Sequence, residues 1–239
     1  MPLPKIATPT YELELPSTGQ TVKYRPFLVK EEKLLVIALE SEDTKQITNA
    51  IKTVIKNCIE TKNIKVESLP TFDIEFLFLN IRGKSVGEEI EVNVICPDDG
   101  ETSVPVKINV DDIQVQRNDD HTKQIKLDDN LMMEMKYPSL DQFIKNNFDL
   151  SSNNAMEQSF ELVASCVDKI YNEEEVWSTS DVTKKELMEF LDQMNSNQFK
   201  QIEKFFETMP KLCHTVTVKN PTTDVESEVI LEGLSSFFA

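Results

Sequence analysis

The fold class of this chain follows from residues 69–110, which read LPTFDIEFLFLNIRGKSVGEEIEVNVICPDDGETSVPVKINV. Residues 72–81 are apolar around most of the circumference of a helix. A helix of this kind is typical of a core or of an interface between proteins. Gly83 and Gly87 are expected to end it, because glycine destabilises a helix interior.

The second half of the same stretch changes its hydrophobic period from helix to strand. Apolar and polar residues alternate in residues 88–95, which predicts a strand with one buried face. The turn at residues 96–101 contains proline, aspartates and glycine, and it reverses the chain into a second strand at residues 104–110. The stretch therefore predicts a helix followed by an antiparallel hairpin.

The flanking sequence repeats this combination of helices and hairpins. Further hairpins are predicted at residues 11–27, 124–137 and 213–231. Further helices are predicted at residues 30–39, 43–61, 139–148 and 154–170. Two more are predicted to start at Thr183, which opens a capping box, and at Asn195. We interpret the fold as α+β, with helical clusters and several appended antiparallel β-hairpins. Three regions are expected: residues 1–87, residues 88–137 (rich in strands) and residues 138–239, which are mainly helical and end in a hairpin.

The charge of the chain excludes some classes of partner. The 42 acidic residues exceed the 25 basic ones, and the net charge is −17. Binding to a phosphate backbone or to an anionic membrane requires clustered Lys and Arg, so neither nucleic acid nor membrane is expected as a partner. A basic protein partner and simple solubility both remain as explanations of the acidic surface.

Four cysteines lie far apart in the sequence, at positions 58, 96, 166 and 213. A disulfide framework is not expected, which suits a reducing compartment. Residues 1–10 contain three prolines and lack the apolar segment of a signal peptide. We expect the protein to be made in the cytoplasm.

Few residues suit catalysis or metal binding. His121 is expected to be solvated in a charged loop, and His214 is expected to have a structural role, since its neighbour Cys213 points to the opposite face of a strand. The carboxylate pairs are interpreted as turns, because Asp and Asn favour turn dihedral angles. No catalytic residue, cofactor or metal is predicted, and the chain is not expected to be an enzyme.

One turn has the shape of a zinc knuckle. Residues 95–100 read ICPDDG, which matches Cys-Pro-x-Cys-Gly with Asp99 in place of the second cysteine. The turn at Asn220 shows a fainter form of the same pattern. Structural zinc requires four ligands, mostly thiolate or imidazole, and these turns offer one or none. We therefore predict ribbon-like hairpins that hold together without metal.

Several segments resemble a known family over nearly the whole chain. The segments are KYRPFLVKEEK at 23–33, LPTFDIEFLFLNIRGKSVG at 69–87, FFETMPKL at 205–212 and LEGLSSFF at 231–238. They are similar to the T-even-type phage baseplate proteins, a family that includes the baseplate hub subunit and the hub assembly protein. Members carry Cys-x-x-Cys at turns like the one at Cys96, and this chain departs from that pattern.

The resemblance implies a non-enzymatic phage tail protein that acts in baseplate hub assembly through protein contacts. Its partners would be other hub proteins, with a homo-oligomer as a further arrangement. It would lie in the host cytoplasm during assembly and, as a hub subunit, in the virion tail baseplate. The alternative is an assembly chaperone that shields hub subunits and is absent from the mature virion. A tail-tip hydrolase is a remote alternative, because no carboxylate pair or metal site suggests one.

Aromatic residues supply the candidate interface, since aromatic side chains are favoured interface anchors. The candidates are Phe72, Phe76 and Phe78 of the central helix, together with Phe237 and Phe238 at a chain end that is expected to be exposed. The alternative is that both groups belong to the core. If the end is exposed, deletion of residues 234–239 weakens hub assembly and leaves the fold intact.

Overall fold

The computed structural model describes residues 6–41, 43–140 and 155–237 of the chain. It confirms the α+β prediction, with helices and small antiparallel sheets. The helices are α1 (Val29–Glu40), α2 (Thr44–Cys58), α3 (Thr71–Val86), α4 (Ala155–Cys166), α5 (Lys184–Asp192) and α6 (Ser196–Thr208). The strands are β1 (Tyr11–Glu14), β2 (Thr21–Tyr24), β3 (Glu89–Ile95), β4 (Ser103–Asn109), β5 (Gln114–Gln116), β6 (Gln124–Lys126), β7 (Met132–Met135), β8 (Val167–Tyr171), β9 (Val176–Ser178), β10 (Lys211–Lys219) and β11 (Glu226–Glu232).

The chain forms two compact units. Unit 1 comprises Met1–Val66, Phe72–Gln116 and Lys211–Ala239, and unit 2 comprises Glu67–Thr71 and Arg117–Pro210. The boundaries expected from the sequence, at residues 87 and 137, fall inside unit 1 and unit 2 respectively. The three expected regions therefore do not coincide with the compact units.

Strand pairing explains why unit 1 is discontinuous in sequence. β5 pairs antiparallel with the start of β10, and Gln116 lies opposite Lys211. The chain thus leaves unit 1 after Gln116 and re-enters it at Lys211, and these two residues are paired across neighbouring strands. Residues 117–210 are an insertion between two paired strands of unit 1.

Unit 1 contains the hairpin β1–β2, helices α1 to α3, the hairpin β3–β4 and a three-stranded sheet in the order β11-β10-β5. One core cluster joins inward residues of β3 and β4, such as Val92 and Ile108, to inward residues of β10, such as Val216. The sequence predicted that Gly83 ends α3, but Gly83 lies inside the helix, so that prediction is wrong. A β-carbon there would lie 3.3 Å from Cγ1 of Val110, so close packing explains the glycine.

Unit 2 contains an antiparallel four-stranded sheet in the order β6-β7-β8-β9, with helices α4, α5 and α6. Its core cluster includes Met133 of β7, Val167 of β8, Leu191 of α5 and Phe205 of α6. Thr183 begins α5 with a capping box, as predicted. Asn195 begins α6 as predicted and also forms a capping box, and Asp43 caps α2 with its carboxylate.

Two predictions for unit 2 were wrong. The helix expected at residues 154–170 ends at Cys166, and the chain continues as β8, because these residues pair with β7 on one side and β9 on the other. The loop expected at residues 172–181 contains the edge strand β9. Most of the helix expected at residues 139–148 lies outside the described residues.

Candidate protein interface

Four of the five aromatic residues predicted as an interface belong to unit 1, and their side chains are buried or partly buried there. Phe72 and Phe78 are each 4% exposed and Phe237 is 2% exposed. Phe76 is partly buried and packs against the core cluster that contains Phe237. Phe238 lies outside the described residues. The expected exposure of Phe237 is therefore wrong, since its ring is part of the core, and a contact through the other rings stays a prediction.

The exposed apolar side chains are instead concentrated on α1. Val29 and Ile37 are each 65% exposed, Leu39 is 53% exposed and Val36 is 47% exposed. Spacings of seven and three residues place positions 29, 36 and 39 on one side of the helix, with position 37 at its margin. We call these four residues the α1 face. Contiguous apolar surface on a folded protein is typical of an interaction site.

The opposite side of α1 explains why these side chains point outward. The buried residues of α1 are Glu31 and Ala38, while Leu34 and Leu35 are half-buried. A carboxylate and a methyl group contribute little apolar burial to the core. Packing in the core of unit 1 therefore does not explain why the side chains of the α1 face are apolar.

Glu31 fixes the orientation of α1 through several hydrogen bonds. Its Oε1 lies 3.1 Å from Nη2 of Arg25 and 3.3 Å from Nζ of Lys30. Its Oε2 accepts a hydrogen bond of 2.8 Å from the backbone N–H of Leu28, as the third residue of a capping box does. Burial raises the pKa of Glu31, but these bonds outweigh burial and hold the pKa below its ordinary value. The carboxylate is therefore charged at neutral pH.

Replacing Glu31 with Gln is expected to destabilise unit 1 by about 2 kcal/mol at pH 7, because charge-assisted bonds to a buried group are lost. The pKa of Glu31 is lowered in the folded chain, so its contribution is present above the unfolded carboxyl pKa, about 4.3, and is lost as pH falls through the folded value. Urea unfolding at pH 7 and at pH 3 measures this. The exposed neighbour Glu32, changed to Gln, is the control and is expected to alter stability by under ~0.5 kcal/mol. Equal stability of the two variants at pH 7 would contradict this role of Glu31.

The sequence contains a signal for the α1 face. Residues 34–39 read LLVIAL, which is six consecutive apolar residues in a predicted helix. Successive helical residues are 100° apart, so such a run covers the whole circumference and cannot face one core. The sequence-based prediction rested on the aromatic content of α3 and did not include α1.

Both histidines form hydrogen bonds within the protein. His121 was expected to be solvated, but its Nδ1 lies 3.0 Å from Oγ1 of Thr208 and its Nε2 lies 3.0 Å from the hydroxyl of Tyr137. Its ring also stacks on Tyr137 and lies against Phe205, so that expectation is wrong. Burial, and then the charge of Lys123, lower the pKa of His121. Nδ1 of His214 lies 3.2 Å from the carbonyl oxygen of Asp112.

All four cysteines are buried and free. Burial raises the pKa of Cys58 and of Cys166 to about 11, and it also raises the pKa of Cys96 and Cys213. A thiol is nucleophilic only as thiolate. These groups therefore lack the activation that a catalytic cysteine requires.

Asp128 illustrates the role in turns that the sequence predicted for the paired carboxylates. Asp128 accepts hydrogen bonds from the backbone N–H groups of Asn130 and Leu131, at 2.7 and 2.8 Å. This geometry is that of an Asx turn. Within residues 6–41, 43–140 and 155–237, no group of three His, Cys, Asp or Glu side chains is arranged to hold a metal ion.

Unit 2 contains an apolar recess of about 320 Å³ beside Trp177. Its walls include Leu131, Val167, Ile170, Leu187 and Phe190. The ionisable residue in the wall is Glu186, which accepts 2.8 Å bonds from both the backbone N–H and the hydroxyl of Thr183. These bonds lower the pKa of Glu186, so it does not serve as a proton donor near neutral pH.

Comparison with known proteins gives the family of this chain. The profile of the T4 bacteriophage base plate proteins matches residues 8–239, which is nearly the whole sequence. The chain belongs to the T4 bacteriophage base plate protein family. No curated protein and no solved structure was found to match it. For a base plate protein of this family, an exposed apolar face is consistent with a structural role built on protein contacts.

The described helices of this base plate protein include none that combines the length and the apolar character required to cross a membrane. The exposed aliphatic residues of α1 are also interspersed with charges, namely Lys30, Glu32, Lys33 and Glu40. A membrane-spanning helix excludes such charges.

Proposed function

We propose that this chain acts without catalysis in the assembly of the baseplate hub, and that the α1 face docks on another baseplate protein. The observation that carries the proposal is the exposure of Val29, Val36, Ile37 and Leu39 on one helix. Membership of the base plate protein family supports the phage baseplate as the assembly in which the helix makes its contact. The resemblance of residues 23–33 and 69–87 to hub proteins supports the hub as the location.

The energetics of docking favour a protein partner for this surface. Burying four aliphatic side chains against a complementary apolar surface contributes about 1–2 kcal/mol each, since they start about half exposed. Lysines and glutamates border these side chains, which is the arrangement of an apolar centre with a polar rim. Other hub proteins are the proposed partners, and a second copy of this chain is a further candidate.

A chaperone that shields hub subunits and leaves before the virion matures is the second candidate. The net charge of −17 favours it, because an acidic surface can mask basic surfaces of a subunit that has not yet assembled. Both candidates place the chain in the host cytoplasm during assembly. The hub subunit would remain in the virion baseplate, and the chaperone would not.

Quantitative mass spectrometry of purified phage particles separates the two candidates. Stoichiometric amounts relative to other baseplate proteins are expected for a hub subunit, and absence from particles is expected for a chaperone. Electron microscopy of lysates from a phage that lacks the gene tests what the two candidates share. We expect incomplete baseplates there, and complete baseplates would contradict a role in assembly.

A further inference from the structure

Two hairpin turns of unit 1 have the same backbone. In residues 96–100, the N–H of Gly100 donates to the carbonyl oxygen of Cys96 at 2.9 Å. In residues 220–224, the N–H of Asp224 donates to the carbonyl oxygen of Asn220, also at 2.9 Å. The fifth residue has positive φ in both turns, +70° at Gly100 and +63° at Asp224. Each turn also has proline as its second residue.

The two turns meet through their side chains. Nδ2 of Asn220 lies 3.1 and 3.0 Å from the carboxylate oxygens of Asp98, and 2.8 Å from Oδ2 of Asp99. The hydroxyl of Thr223 also donates to Oδ2 of Asp98. Asn220 is 0% exposed, and its Oδ1 accepts a 2.8 Å bond from the backbone N–H of Thr222. All of these bonds lie within unit 1.

This frame is that of a zinc ribbon, in which two Cys-Pro-x-Cys turns face each other and supply four thiolates to one metal ion. The first and fourth positions of the turns here are Cys96 with Asp99, and Asn220 with Thr223. These residues do not fit zinc, because they offer one thiol, one carboxylate, one amide and one hydroxyl. The amide nitrogen and the hydroxyl hydrogen point at carboxylates as hydrogen-bond donors, which is not the role of a metal ligand.

We propose that a hydrogen-bond clasp between Asn220, Thr223, Asp98 and Asp99 takes the structural place of the metal ion in this ribbon. The amide of Asn220 carries two N–H donors and bridges two anionic carboxylates, as a cation would. The clasp joins the β3–β4 hairpin to the β10–β11 hairpin at the end where their turns meet. The ribbon therefore holds together without zinc, and it is insensitive to chelators.

Replacing Asn220 with Asp tests the clasp. The change removes the bridging donors and places a third carboxylate beside Asp98 and Asp99, so repulsion replaces attraction. We expect the thermal midpoint of unfolding at pH 7 to fall by about 5 °C or more. The control is Asn93→Asp on β3, the same substitution at an exposed position of the same unit, with little expected change. Equal midpoints for the two variants would overturn the proposal.

Conversion to a metal site tests the ribbon frame. The variant Asp99→Cys, Asn220→Cys, Thr223→Cys places thiols at all four positions together with Cys96. We expect it to bind one zinc ion per chain and to lose thermal stability when EDTA is added. The unaltered protein is expected to contain no stoichiometric zinc and to keep its midpoint in EDTA.

Two further results would count against the proposal. Stoichiometric zinc in the unaltered protein would show that a metal ion holds the two turns together. A triple variant that folds but does not bind zinc would show that the four positions are not arranged as zinc ligands. If the triple variant does not fold, the comparison of Asn220→Asp with Asn93→Asp decides the question. None of these results bears on the α1 face, so failure here and failure of the proposed function are separable.

Discussion

Replacing Ile37 with Lys is expected to prevent baseplate assembly, while the same replacement at Ile230 is not. Ile37 is 65% exposed on the α1 face, and Ile230 is 62% exposed on strand β11 of the same unit. A lysine at position 37 places a charge without a partner against the docked apolar surface. An unpaired charge held in an apolar interface costs about 2–4 kcal/mol, which corresponds to roughly 30- to 1000-fold weaker docking.

Complementation of a phage that lacks the gene measures this effect. Plaque counts and the number of complete baseplates in micrographs are the readouts, and circular dichroism verifies that both variants fold. Both side chains are largely solvent-exposed, so neither substitution is expected to change stability by more than ~0.5 kcal/mol. Normal assembly with Ile37→Lys would exclude the α1 face as the docking surface.

Replacing Phe237 with Ala is expected to cost about 3–5 kcal/mol of unfolding free energy. The ring is 2% exposed and belongs to the core cluster formed with β3, β4 and β10. Removing a buried aromatic ring loses transfer free energy and leaves a cavity. The thermal midpoint is expected to fall by about 10 °C or more, and deletion of residues 234–239 is expected to destabilise unit 1 at least as much.

The control for Phe237 is Ile230→Ala, which removes a large apolar side chain that is 62% exposed. That variant is expected to stay within ~1 kcal/mol of the unaltered protein. The expected loss for Phe237 reverses the sequence-based expectation that the chain end can be deleted with the fold intact. A deletion variant with unchanged stability would restore that expectation.

Local sequence signals predicted the elements that depend on local physics. The hairpins β1–β2, β3–β4 and β10–β11 follow alternating runs around turn residues, and their antiparallel registers agree with that pattern. The capped starts of α2, α5 and α6 follow from Asp43, Thr183 and Asn195. These features depend on residues within a few positions of one another.

Elements decided by distant partners were missed. Val167 and Ile170 continue the helical period of α4, but pairing with β7 and β9 makes them a strand. β5 has three residues and exists because it pairs with β10, about a hundred positions further along the chain. That same pairing turns residues 117–210 into an insertion, so the division into units was not readable from local composition.

The candidate sites show the same division between local and distant information. The knuckle-like shape of the turn at Cys96 was predicted from its spacing, but the bonds of Asn220 to Asp98 and Asp99 join residues more than a hundred positions apart. The exposure of Phe237 was predicted wrongly because burial depends on what packs against a chain end. The buried carboxylate of Glu31 leaves the aliphatic residues of α1 outside the core, and sequence reasoning did not identify it.

Site-specific photocrosslinking in infected cells tests the docking role of the α1 face most directly. A photoreactive amino acid is placed at position 37 in one variant and at position 230 in the other, and the adducts are identified by mass spectrometry. We expect position 37 to form an adduct with another baseplate protein and position 230 to form none. Cells that assemble complete baseplates with the photoreactive residue at position 37, yet yield no adduct from it, would contradict the account.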